Sequence, residues 1–89
     1  MCRNIKTLFN FDPPATDEEI YASSLQYVRK ISGFQKPSHS NKKVMMESAK
    51  RIAKETRKMI NGLTTIALPK NREEERAKAK ARAIKRFGN

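Results

Sequence analysis

MMESAKRIAKETRKMI, residues 45–60, carries two patterns at once. At roughly 100° per residue, Met45, Ala49, Ile52, Ala53, Thr56, Met59 and Ile60 gather on one arc of about 120°. Lys43, two residues upstream, joins Lys50, Arg51, Lys54, Arg57 and Lys58 on the opposite side. A strand would scatter both sets, because its side chains alternate every second residue. A helix keeps the apolar arc together and leaves six cations in water. Glu47 is spaced to pair with Arg51, and Glu55 with Arg51 or Lys58. The stretch therefore predicts a helix capped by Ser40 or Asn41 and ending near Asn61, ahead of Gly62.

An apolar arc of this kind needs a partner, and the upstream sequence supplies one. After Pro13-Pro14, Thr16 and Glu19 form a capping box, in which each satisfies an orphan backbone amide of the other. Ile20, Tyr21, Leu25, Val28 and Ile31 follow on one wide face. Arg29 and Lys30 suit the negative end of the helix dipole, and Gly33 suits a left-handed cap, with Phe34 placed for a capping contact. Residues 34–41, FQKPSHSN, read as a loop. Two amphipathic helices joined this way predict an antiparallel hairpin over 16–62.

Outside the hairpin the signals weaken. Residues 1–15 read as an extended N-terminal arm, with Ile5, Leu8, Phe9 and Phe11 laid along an edge or into the groove between helices. Residues 63–70 read as an extended linker, since Thr64-Thr65-Ile66 favours β geometry and Leu68 precedes a proline. Its apolar groups are expected to cover the open side of the hairpin. Residues 71–88 predict a basic C-terminal helix, opened by Asn71 and Glu74 as a second capping box and stopped by Gly88. Its apolar seam of Ala77, Ala81 and Ile84 is thin, so it is expected to dock loosely. The sum is one all-α domain spanning residues 1–89.

The chain holds 20 Lys and Arg against 9 Asp and Glu, a net charge of +11. Residues 1–33 are neutral, so the whole excess follows Gly33. Such asymmetry points to a polyanion, and nucleic acid comes first. The residues that would meet it are Lys43, Lys50, Arg51, Lys54, Arg57 and Lys58, with Lys78, Arg82, Lys85 and Arg86 as a second patch. Phosphate contact needs just this chemistry, cations spaced along a rigid rod. Groups that read bases are sparse, so binding should be weakly sequence-specific. Structured RNA, or RNA of the ribosome, is placed ahead of DNA. A loop of about eight residues is too long for a helix-turn-helix, whose turn is roughly 3–4 residues.

Other chemistries find less support. Asp17-Glu18-Glu19 and Glu73-Glu74-Glu75 each fill a helix first turn, where capping and the dipole explain them. No phosphate-binding glycine loop, nucleophile elbow or zinc motif occurs, and no cofactor is implied. Cys2 and His39 are the only Cys and His, too few ligands for a metal site. Cys2 is a thiol nucleophile beside Arg3, a small apolar anchor for the arm, or an incidental thiol on a loosely held terminus. One cysteine permits no intrachain disulfide, and residues 1–20 contain no apolar run of signal-peptide type. The expectation is a cytoplasmic protein with no membrane role, its oligomeric state left open. The alternative functions are a protein-interaction module whose C-terminal helix docks on a partner, and a thiol-dependent activity at Cys2.

Four stretches carry a family resemblance: MCRNIKTLFNF (1–11), FDPPATDEEI (11–20), LQYVRKISGF (25–34) followed by KPS (36–38), and REEERAKAKARAIKRFG (72–88). Together they resemble a prokaryotic family of small proteins classed as a domain of unknown function. The resemblance runs essentially end to end and implies no activity, cofactor or partner. It adds weight to Cys2, Arg3 and Asn4, which lie in the identifying stretch.

Overall fold

The structure is a computed structural model that describes residues 5–87, with side chains through Lys85. Chain order is β1 (Phe11–Asp12), α1 (Asp17–Ser32), α2 (His39–Gly62), β2 (Lys70–Asn71) and α3 (Arg72–Phe87). The fold is thus mostly helical. Cys2 lies outside the described residues.

Helix α1 starts as its sequence dictates. Thr16 Oγ1 accepts from the Glu19 amide at 3.2 Å, and Glu19 Oε1 accepts from the Thr16 amide at 2.9 Å. It ends at Gly33, whose φ of +80° is the left-handed conformation a glycine adopts without a Cβ clash.

Helices α1 and α2 pack along their length. Val28, Met45 and Ala49 are buried together, with Tyr21, Leu25 and Ile52 against them. At the other end Arg57 of α2 reaches Asp17 of α1. The start of one helix therefore lies beside the far half of the other, in a hairpin. Ala49 is completely buried, and its small side chain permits close approach of the helices. Two hydroxyls on the packed faces are satisfied within their own helices: Ser24 donates to the Ile20 carbonyl at 2.9 Å and Thr56 to the Ile52 carbonyl at 2.7 Å.

Several boundaries differ from the sequence reading. Helix α2 begins at His39, so Ser38 is the N-cap, not Ser40 or Asn41. Ser38 Oγ makes no capping bond and lies 3.1 Å from Ser40 Oγ. His39 is therefore the first residue of a helix, not part of a loop. Gly62 ends α2 from inside, and extended Leu63 caps it by donating to the Met59 and Ile60 carbonyls. Ile31 is 72% exposed: it lies one turn beyond Val28 and rotated roughly 60° away, so it overshoots α2. Met59, also assigned to the packed arc, is more than half exposed.

The linker departs furthest from expectation. Residues 63–70 are all exposed, with Ile66 fully so, and they cover nothing. Backbone bonds hold them instead. Asn10 takes a left-handed φ of +66°, which Asn tolerates better than most residues. Its Nδ2 donates to the Leu68 carbonyl at 3.2 Å, and its own carbonyl accepts from the Lys70 amide at 2.8 Å. Phe11 and Asp12 then pair in parallel with Lys70 and Asn71. The arm is thus a short strand bound to the linker, not a segment in the groove between helices.

Helix α3 follows directly, with Asn71 Oδ1 accepting from the Glu74 amide at 3.0 Å. Residues 76–85 are exposed throughout. The radius of gyration is 15.8 Å, against about 12 Å for a compact chain of this length.

Candidate nucleic-acid interface

Of the seven Lys and Arg on α2, five of the six named above, Lys43, Lys50, Arg51, Lys54 and Lys58, are exposed on the side turned away from α1. Lys58 lies 3.7 Å from Glu55, but both are mostly in water, so the pair is weak and leaves the lysine free to move. On α3, Lys78, Arg82 and Lys85 are exposed, with Lys78 Nζ 3.4 Å from Glu75. The Arg86 side chain lies outside the described ones.

Arg57 stands apart from the other five. Its Nη2 donates to Asp17 Oδ1 at 2.7 Å and to the Ala15 carbonyl at 3.0 Å, and its Nε also donates to Asp17. The guanidinium closes the open end of the hairpin. The helical wheel held the signal: Arg57 sits roughly 40° from Ala53, nearest of the six to the packed face.

A second charged cluster, absent from the sequence reading, ties α3 to the hairpin. Arg72 Nη1 and Nη2 donate to the two Glu19 carboxylate oxygens at 2.7 and 2.9 Å. Its Nε donates to the Pro13 carbonyl at 2.9 Å, and the guanidinium lies 5.6 Å from the centre of the Phe11 ring. Lys70 Nζ sits 5.8 Å from the same ring. Glu19 thus does two jobs, as capping residue and as anchor for Arg72. No periodicity marks Arg72, and its partners are more than fifty residues away in sequence.

This cluster sets the one clear titration. The Arg72 hydrogen bonds, with the Thr16 amide second, lower the Glu19 carboxyl from its ordinary 4.5 to about 2. Glu19 in turn raises the Arg72 guanidinium above its usual value. A lowered carboxyl contributes stability that is complete above the unfolded value and is lost as pH falls toward the folded one. Melting temperature should therefore drop between pH 4.5 and 2, and Glu19→Gln should flatten that drop while lowering stability at pH 7. Thermal melts across the range check this; an unchanged profile in the variant contradicts it.

Beside the cluster, a cavity of about 260 Å³ lies between the arm and α3, lined by Lys6, Leu8, Phe11, Glu19, Arg72, Glu75, Arg76 and Ala79 among others. Most of its charged groups have partners: Glu19 with Arg72 inside the lining, and Glu75 with Lys78 and Arg76 with Glu73 at its edge, the last at 3.1 Å. Such a lining reads as a seam between elements. Among the described residues, no three His, Cys, Asp or Glu are grouped to hold a metal ion. No described helix is long and apolar enough to cross a membrane.

A small, mostly helical, basic fold with a projecting third helix is the class these features define. The chain belongs to the family described as Uncharacterized conserved protein (DUF2277), which matches residues 1–78. No curated protein and no solved structure matches it. The family match ends within α3, after Lys78.

Proposed function

We propose that this protein binds nucleic acid without catalysis, through phosphates and with little sequence preference. The observation that carries this reading is the row of five exposed cations on α2, backed by a hairpin that holds them rigid. The row from Lys43 to Lys58 spans roughly 22 Å of helix at 1.5 Å per residue. Ion pairing leaves most of its charge uncompensated. On binding, each cation that meets a phosphate releases a condensed counterion, which makes affinity steeply dependent on salt.

The test is binding of the full chain to duplex DNA and to structured RNA across a salt series. A log–log slope of about −4 or steeper is expected, at roughly −0.9 per phosphate neutralised on DNA. No binding near 50 mM salt, or a flat slope, would remove the reading; the charge would then be a solvated surface.

A further inference from the structure

We propose that α3 enters the major groove of duplex DNA. This rests on the nucleic-acid reading above and names duplex DNA as the substrate class, in place of the RNA that the sequence put first. The two basic elements differ in what they can enter. Helix α2 is covered along one side by α1, so it can meet only a surface. Residues 76–85 of α3 are each exposed, and beyond Ala79 none of them lines the cavity against the arm. With side chains a helix is about 10–12 Å across, which matches the roughly 12 Å width of the B-form major groove. The A-form RNA major groove is deep and narrow and does not admit it.

The composition of α3 fits that occupant. Ala77, Ala79, Ala81 and Ala83 keep the rod slim between its cations. The acidic residues Glu73, Glu74 and Glu75 occupy the first turn, and residues 76–87 contain no Asp or Glu. Arg72 fixes that acidic end to the hairpin, so every charge on the segment that projects is positive. About twelve residues give roughly 18 Å of rod, close to half a turn of B-DNA. Arg82 is the side chain best suited to a guanine edge, through its paired donors. No Asn or Gln lies between 72 and 87 to read adenine. Any base preference should therefore be weak and lean toward guanine.

The experiment is fluorescence anisotropy of the full chain with a DNA duplex of roughly 20 base pairs and the RNA duplex of the same sequence. Each runs alone and with a major-groove dye (methyl green) or a minor-groove ligand (netropsin). The expected result is binding to DNA several-fold tighter than to RNA, displaced by methyl green and not by netropsin. Ala81→Trp with Ala83→Trp, which keeps every charge, should lower DNA affinity about tenfold and leave RNA binding and melting temperature unchanged. Equal binding to both duplexes, insensitive to methyl green, would overturn groove entry and leave the phosphate reading standing. Binding to neither would remove both.

Discussion

Arg72→Ala is expected to lower stability by about 2 kcal/mol and melting temperature by roughly 10 °C, using the usual 4–8 °C per kcal/mol for a domain of this size. The side chain makes two charge-assisted bonds to Glu19 and one to the Pro13 carbonyl, and it stacks near Phe11. Bonds of this kind are worth about 1.5–3 kcal/mol when shielded. Arg72 and Glu19 are each about one quarter exposed, so solvent screening takes part of that away. The loss still matters here. Among the described residues the buried apolar set is Ala15, Ile20, Val28, Met45 and Ala49, and a domain of this length carries roughly 4–13 kcal/mol in total.

The loss should also have a location. Among the described residues of α3, Arg72 and Glu75 are the only half-buried ones, so without Arg72 the helix is tied by β2 and little else. Isolated helices of this length are marginal in water. Helical circular dichroism should therefore fall before the main melting transition. Arg72→Lys should recover little, because an ammonium cannot fork across both carboxylate oxygens and reach Pro13 as well. A variant that melts like the parent would mean that the cluster is ornamental and that backbone pairing alone holds α3.

What could be read from the chain beforehand divides by range. The Thr16–Glu19 box, the left-handed Gly33 and the two-faced pattern of α2 all depend on residues within one or two turns, and each was legible. Membership of a family of unknown function was legible too, and the match covers residues 1–78. Asn10 and Arg72 were not, because each acts on a partner more than fifty residues away, and for Arg57 the wheel gave the position but not the partner, forty residues away. Local rules even misled at Thr64-Thr65-Ile66. Apolar content suggested burial, but the Asn10 side-chain amide, donating to the Ala67 and Leu68 carbonyls, holds the linker while its apolar groups stay exposed. Charge placement was legible as a pattern, but not which cation had a structural task. Arg57 looked like its five neighbours until its position beside Ala53 was set against Asp17.

That distinction fixes the outcome of the second large effect. Lys50→Glu with Lys54→Glu should weaken binding to DNA or RNA roughly 100-fold or more near 50 mM salt, since each phosphate contact is worth about a factor of ten there. The slope against salt should fall by about 2. Both side chains are exposed, with the packed face of α2 on the other side, so melting temperature should hardly move. Arg57→Gln should do the reverse. It breaks the bonds to Asp17 and Ala15 and lowers melting temperature, yet its guanidinium is already occupied and the salt slope should stay. Paired measurements on the two variants separate a cation that holds the fold from cations that face a ligand. If Lys50→Glu with Lys54→Glu leaves affinity unchanged while Arg57→Gln reduces it, the interface lies at the open end of the hairpin and not along its basic row.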